Sequence, residues 1–222
     1  INPNITDEKG FTADFGLRGN SNNKISFDIS AFTLKYDDRI GFVQKVFNGN
    51  VKSERGNVGN AIIYGVETLS ELDLNRLMLD KDNLDLKFFI NYSLIKSQYL
   101  KSEQVGIEGN SVEFVPKHNL KSGLRFGYKN FSLSWQTSLL SSQFTDSSNA
   151  IDGNLSGVIG QIPSYSISDL SISLKRKNWK IESGINNIFD EYYFTRRATG
   201  YPGPGIIPSP PRNFYSTIQI IF

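Results

Sequence analysis

The chain has 222 residues, with 24 lysines and arginines against 22 aspartates and glutamates, and a formal net charge of +2 at pH 7. This near-balance lacks the basic excess typical of nucleic-acid-binding proteins, so we expect no nucleic acid partner. The absence of cysteine excludes a disulfide framework, a thiolate metal site and a cysteine nucleophile. Because the sequence contains one histidine, His118, most histidine-based catalysis is excluded.

The first residues, INPNITDEKG, lack the basic start and apolar core of a signal peptide, and the chain begins at Ile1. We interpret the chain as a mature or excised piece of a longer protein. No apolar run approaches the roughly 20 residues of a membrane helix. A transmembrane β-barrel is still compatible with this sequence, because only every second residue of such a strand faces lipid.

Alternation of apolar and polar residues with a period of two is the dominant pattern, and it is typical of β-strands with one apolar face. It begins with Phe11, Phe15 and Leu17, which are separated by polar residues, glycine and alanine. Irregular stretches in the pattern indicate bulges. The predicted strands are 11–19, 24–36, 61–73, 84–94, 120–128, 131–136, 164–175, 179–186 and 213–222.

The predicted connections fall into two lengths that alternate along the chain. Tight polar turns lie at 20–23, 129–130 and 176–178. Long loops rich in Gly, Ser and Asn lie at 37–60, 98–117, 143–163 and 195–211. The segment 73–83 is a connection of intermediate length at the short-turn end, and it is long enough to contain a helical turn. The pattern predicts one all-β, antiparallel, up-and-down unit of nine strands, with short turns at one end and long loops at the other.

Two interpretations account for the alternation. A soluble β-sandwich, for example a carbohydrate-binding module, buries its apolar faces between two sheets, whereas a transmembrane barrel turns its apolar face to lipid. Two clusters of aromatic residues favour the barrel, because outer-membrane barrels carry an aromatic girdle at each interface. The cluster near the short turns is Tyr128, Phe131, Trp179 and Phe222, and the cluster towards the long loops is Tyr36, Tyr99, Phe144, Tyr165, Tyr192, Tyr193 and Phe214.

The barrel interpretation also predicts which side chains share a face. We expect one outward face to contain Phe126, Phe131, Leu133, Trp135, Trp179, Ile181, Ile218 and Ile220. We expect the concave side to contain Lys121, Arg125, Lys180, Glu182 and Gln219.

The C-terminal segment WKIESGINNIFDEYYFTRRATGYPGPGIIPSPPRNFYSTIQIIF resembles the end of TonB-dependent outer-membrane receptors, whose last strand also ends in phenylalanine. Three earlier phrases resemble the family in the same order: YGVE at 64–67, FVPKHNL at 114–120 and IPSYSISDLSISL at 162–174. Within the family, TRRATGYPGPGIIP is most similar to the ferric dicitrate receptor branch. The residues that match the family pattern near the penultimate strand are Gly184, Ile185, Asn187, Ile188, Phe189, Asp190 and Tyr193.

The resemblance implies a fold, a location and a function. The fold is a transmembrane β-barrel, of which residues 1–222 are about nine C-terminal strands out of roughly 22, with no plug domain or TonB box in this chain. The location is the outer membrane of a Gram-negative cell, in contact with its lipid. The implied function is uptake of a ferric chelate, either a siderophore or ferric citrate, driven by TonB through regions absent here. No enzymatic activity, cofactor or bound metal is expected.

Nine strands of a larger barrel leave two open edges, at 11–19 and 213–222, whose unpaired backbone groups invite another chain. Lipid offers no hydrogen bonds to such edges. We therefore expect that this chain alone neither transports nor persists as a lipid-embedded monomer. It is expected to associate edge to edge, to curl on itself, or to be ordered only within a larger barrel.

The last long loop is the candidate ligand site. Its prolines fix backbone angles and its glycines permit sharp turns, so the loop can hold a shape. Arg196, Arg197 and Arg212 could then donate forked hydrogen bonds to the carboxylates of a ferric chelate, with Tyr201 beside them. The alternative is that the arginines pair with loop acids or hold the loop to the barrel wall. The family resemblance implies that Phe222 is a barrel-assembly signal.

Overall fold

The computed structural model describes residues 3–47, 50–198 and 203–220. A single π-helical turn, Asn75–Leu79, lies within the segment that was predicted to hold a helical turn. No helix in the described part of the chain is long and apolar enough to cross a membrane. The strands are β1 (Lys9–Ser21), β2 (Ile25–Phe47), β3 (Asn50–Asp73), β4 (Leu84–Lys101), β5 (His118–Tyr128), β6 (Phe131–Leu140), β7 (Tyr165–Arg176), β8 (Trp179–Asn186), β9 (Phe194–Ala198), β10 (Gly205–Pro208) and β11 (Asn213–Ile220).

Nine of these strands form one sheet in the order β1-β2-β3-β4-β5-β6-β7-β8-β11, and every neighbouring pair is antiparallel. The remaining two strands, β9 and β10, form a small hairpin within the last long loop. This topology confirms the prediction of nine up-and-down strands. The β-sandwich alternative is wrong, because the described strands form one main sheet and one small hairpin rather than two large packed sheets.

The strand registers confirm the predicted separation of the sheet into an apolar face and a polar face. Residues directly opposite each other on neighbouring strands share a face. Leu133 lies opposite Phe126 on the apolar face, and Lys180 lies opposite Gln219 on the polar face. Followed from strand to strand, the registers place all eight predicted outward residues on the first face and all five predicted concave residues on the second.

The apolar face is exposed across the described sheet. The residues Phe15, Ile218 and Trp135 are 81%, 61% and 44% exposed. An apolar surface of this extent marks an interaction with lipid or with another protein. Two hydroxyl groups on this face, those of Thr137 and Ser168, lie 2.7 Å apart and satisfy each other. These two polar side chains are therefore paired within the sheet, beside the exposed hydrocarbon.

Glycines and aromatic rings are matched across strands, which explains why aromatic residues interrupt the polar face. A Cβ added to Gly123 would lie 2.5 Å from the ring of Phe89, and one added to Gly184 would lie 2.5 Å from the ring of Tyr215. In both pairs the ring fills the space that a side chain at the glycine would take. Three pairs in direct register lie on the polar face, and a fourth lies on the apolar face. The three are Gly65–Phe32, Gly123–Phe89 and Gly184–Tyr215, and the fourth is Gly19–Phe27.

The strands are longer at the long-loop end than the sequence predicted. Residues 37–60 were predicted to be a loop, but β2 continues to Phe47 and β3 begins at Asn50. The prediction was wrong because a sheet that extends into water has no lipid on one face, so the alternation that indicates a strand is lost. The register shifts between Tyr36 and Ile40, where Asp38 has a φ of 55°, mark the start of this extension.

Two further predicted loops contain regular structure. The loop predicted at 98–117 begins later, because β4 continues to Lys101. The loop predicted at 195–211 contains the β9–β10 hairpin. By contrast, the segment 143–163 has no strand, and its ends are joined by one isolated bridge between Gln143 and Ile162.

The outer edges of β1 and β11 have no partner strand in the described sheet. This geometry is the one from which edge-to-edge association was predicted. The association itself stays a prediction, to be measured as the size of the isolated chain in detergent.

We expect Trp135→Arg to destabilise the folded barrel of the intact protein by about 2–4 kcal/mol, because it places a charge near the middle of the apolar face. Gln136→Arg is the matched control, since the neighbouring side chain lies on the polar face. Equilibrium unfolding in lipid bilayers measures both. Equal losses for the two variants would contradict the assignment of the faces.

We expect Gly123→Val to cost about 1–3 kcal/mol, because the new side chain collides with the Phe89 ring and with the Trp135 carbonyl. Gly16→Val is the control, because the nearest atoms to its Cβ lie at 3.4 Å, an ordinary contact. Adding Phe89→Ala to Gly123→Val should recover part of the loss in thermal unfolding. No recovery would show that the ring is not the obstacle.

Candidate functional site

The long-loop end of the sheet contains a compact apolar cluster that anchors the extended strands to the loop between β4 and β5. The cluster is surrounded by partly buried hydrophobic residues. The loops at this end are therefore built on a fixed scaffold. The buried residues of the cluster are Val43, Val58, Ala61, Tyr99, Ile107 and Val112.

A polar triad holds this cluster together, and it consists of the partly buried Arg39 and the buried Tyr99 and Glu113. Arg39 Nη1 donates hydrogen bonds to the Tyr99 hydroxyl at 2.7 Å and to Glu113 Oε1, and the Tyr99 hydroxyl donates to Glu113 Oε2 at 2.7 Å. Tyr99 lies well beyond the first roughly 9–11 residues of β4, which suffice to cross a bilayer. Burial and the adjacent Glu113 carboxylate raise the pKa of the Tyr99 phenol above its ordinary value, so the hydroxyl keeps the proton that it donates.

Arg197, one of the predicted ligand-binding residues, holds two loops together. Its Nη1 and Nη2 atoms donate to the carbonyl oxygens of Gly157 and Gln161 at 2.9 and 3.1 Å. Its guanidinium carbon lies 5.2 Å from the centre of the Phe194 ring. Its Nε is buried and has no hydrogen-bond partner among the described residues. Arg197 therefore anchors the β9–β10 hairpin to the loop between β6 and β7.

Arg212 is tied to the turn that follows β8. Its Nη2 lies 3.7 Å from Asp190 Oδ2, its Nη1 donates to the Ile188 carbonyl at 3.3 Å, and its backbone N–H donates to Asp190 Oδ1 at 2.8 Å. Asn187 closes the same turn, because its side chain exchanges two hydrogen bonds of 2.9 Å with the backbone of Glu191. These contacts give the motif residues Asn187 and Asp190 a structural role.

Arg196 differs from both of these arginines. Its side chain is exposed and makes no hydrogen bond or ion pair with any part of the chain that the structure describes. It lies on β9 opposite Ile207, next in sequence to the anchored Arg197. Tyr201 and Phe222 lie outside the described residues. Contact of Arg196, Arg197, Tyr201 or Arg212 with a ligand stays a prediction.

The sequence analysis did not find the Arg39, Tyr99 and Glu113 triad, because its members are far apart in the chain and match no local motif. It also passed over Asp146, a buried loop carboxylate, although the surrounding TDSSN indicates an ordered polar turn. Within the described ranges, no group of three or more His, Cys, Asp or Glu residues is arranged to hold a metal ion.

An antiparallel up-and-down sheet with one exposed apolar face, one polar face, short turns and long loops defines a segment of a transmembrane β-barrel. The family described as TonB dependent receptor-like, beta-barrel, matches residues 1–188, and the chain belongs to this family. Barrels of this family reside in the Gram-negative outer membrane, and the family transports rather than catalyses.

Solved structures show the same fold. The ferric citrate transporter FecA in its unliganded form matches with a TM-score of 0.76 at 22% identity, over 94% of this chain and 30% of that one. The copper transporter OprC matches with a TM-score of 0.73 at 19% identity, over 98% and 32%. The ferric yersiniabactin uptake receptor FyuA from Yersinia pestis matches with a TM-score of 0.72 at 19% identity, over 97% and 30%. The chain thus spans about a third of these proteins, and the likeness concerns the fold.

We expect Arg197→Ala to loosen the loop between β6 and β7, because the guanidinium supplies two of its hydrogen bonds. Amide hydrogen exchange at residues 157–161 of the intact protein should become faster. Arg196→Ala is the control, since this exposed neighbour makes no such contacts. Unchanged exchange in the Arg197 variant would show that the two bonds do not hold the loop.

Proposed function

We propose that the intact receptor containing this chain takes up a ferric chelate, a siderophore or ferric citrate, across the outer membrane with energy delivered through TonB. Contact with TonB and closure of the barrel lumen belong, in this proposal, to regions outside this chain. Family membership supports the class of function. The chemical nature of the ligand is proposed from the side chains of the long loops.

The observation that carries the ligand proposal is the exposed guanidinium of Arg196 on an anchored hairpin. Because Arg197 fixes the hairpin to a neighbouring loop, Arg196 is presented from a defined backbone position. A guanidinium forms strong charge-assisted hydrogen bonds with carboxylates, which many iron chelates carry. Tyr201 and Arg212, in the same loop, are further proposed contacts.

The narrower hypothesis is a ferric dicitrate receptor. It rests on the resemblance of TRRATGYPGPGIIP to that branch, while the likeness to FecA at 22% identity supports a shared fold only. The exposed guanidinium of Arg196 is chemically suited to a polyanion such as ferric citrate, whereas those of Arg197 and Arg212 already donate to loop carbonyl oxygens.

A growth experiment tests the function directly. The gene of the intact receptor is deleted, and growth is measured in iron-limited medium with ferric citrate, a ferric trihydroxamate or a ferric catecholate as the iron source. We expect loss of growth on at least one chelate and recovery when the gene is restored. Unchanged growth on every chelate that the parent strain uses would contradict the proposal.

We expect Arg196→Ala to weaken binding of the chelate that supports growth by about 1–3 kcal/mol, because one charge-assisted hydrogen bond is lost. The double variant Arg196→Ala, Arg197→Ala should lose at least as much. Thr195→Ala, an exposed neighbour, is the control. Normal expression with unchanged affinity in the Arg196 variant would show that this arginine does not contact the ligand.

A further inference from the structure

A cavity of about 510 Å³ lies among the long loops, bordered by the extended part of β2, the β4–β5 loop, the β6–β7 loop and β9. Its volume falls in the range of roughly 300–1,000 Å³ that is typical of small-molecule sites. Polar side chains, among them Asp146 and Arg197, form part of the wall. The apolar lining consists of Phe42, Val105, Ile107, Phe114, Val158 and Ile159.

Asp146 brings a carboxylate to this wall with one oxygen unused. The residue is only 8% exposed. Its Oδ1 accepts hydrogen bonds from the backbone N–H of Ser148 at 2.9 Å and from the Ser148 hydroxyl. Its Oδ2 is buried and has no hydrogen-bond partner among the described residues. Asp146 is therefore fixed by one oxygen, while the other is an acceptor without a donor.

Arg197, which lines the same cavity, carries a buried donor without a partner instead of a buried acceptor. Its two terminal nitrogens are satisfied by loop carbonyl oxygens, while its buried Nε is a donor without an acceptor in the described part of the chain. Buried polar atoms are nearly always hydrogen-bonded, so each exception is energetically unfavourable. One cavity is thus lined by two residues, held in two different loops, that each carry a buried polar atom without a partner in the described part of the chain.

We infer that this cavity binds a polar, uncharged part of the ligand, which donates a hydrogen bond to Asp146 and accepts one from Arg197. Amide and hydroxyl groups beside apolar surface have this chemistry. The carboxylates of ferric citrate do not, because they only accept and are repelled by the Asp146 carboxylate. Since both protein atoms are buried, the side chains or their loops shift to reach the ligand.

This inference rests on the proposed function, because it takes the ligand to be a ferric chelate, and it narrows that function away from ferric citrate. The cavity is also distinct from the surface that Arg196 presents. Arg196 and Arg197 are consecutive in β9, so their side chains point to opposite faces of the hairpin. The cavity is a second contact point on the same group of loops.

The test measures equilibrium binding of two probes to the purified intact receptor. One probe is ferric citrate, and the other is a neutral ferric trihydroxamate that carries amide N–H groups. Wild type is expected to bind the trihydroxamate more tightly. Asp146→Ala should weaken trihydroxamate binding by about tenfold, the effect of one hydrogen bond to a charged group, without weakening ferric citrate. Asp152→Ala is the matched control, an exposed acid in the same loop.

Asp146→Asn provides a second variant that keeps the size of the side chain and replaces an acceptor by a donor. We expect it to shift preference towards ferric citrate. Equal effects of Asp146→Ala on both probes, or no effect on either, would overturn the inference and leave the proposed function intact. A receptor that binds no iron chelate would contradict the proposed function and this inference with it.

Discussion

Backbone hydrogen bonding is the constraint on which the rest of this structure depends. A strand in lipid has no water to satisfy its N–H and C=O groups, so each of these groups must find a partner in a neighbouring strand. In the described main sheet, continuous antiparallel pairing from β1 to β11 meets this requirement everywhere except at the outer edges of β1 and β11. Once the registers are set, every side chain is assigned to one face or the other, and the long loops are gathered at one end.

The barrel wall and the loops are stabilised by different kinds of interaction. The wall is held by strand pairing and by rings such as Phe89 and Tyr215 that cover glycines on the neighbouring strand. The loops are held by specific side-chain contacts, including the Arg39, Tyr99 and Glu113 triad and the two carbonyl bonds of Arg197. A loop held in this way can change its ligand contacts without disturbing the wall, which suits one fold to many ligands.

The sequence was sufficient to predict those parts of the fold that depend on a single physical signal. Period-two alternation predicted β5 and β8 to within two residues at each end, because lipid on one side and a polar lumen on the other impose opposite preferences on adjacent residues. The same signal failed between residues 37 and 60, where β2 and β3 extend beyond the lipid. Apolar residues there, such as Val43 and Val58, pack against a loop in a local cluster and do not form a continuous apolar face. Pairing there depends on the backbone, which leaves little trace in the side chains.

The candidate site was less predictable for a different reason. The sequence identified the arginines of the last loop by type, but only the three-dimensional contacts distinguish the anchored Arg197 and Arg212 from the exposed Arg196. The carbonyls that anchor Arg197 belong to residues of a distant loop and have no sequence signature. Likewise, the sequence around Asp146 indicates only an ordinary turn, and the burial of this residue is visible only in the structure.

The odd number of strands has a consequence for how the sheet can close. Both β1 and β11 run from the long-loop end to the short-turn end, since β1 enters a tight turn and β11 follows a long loop. If β1 and β11 paired directly with each other, the new pair would be parallel, unlike every other pair in the sheet. The same would be true if either edge paired with an edge of a second copy inserted in the same orientation. A fully antiparallel wall therefore needs an odd number of additional strands between the two edges, the first and last of which run opposite to β1 and β11. Strand parity thus gives a geometric criterion for the polypeptide that completes this sheet.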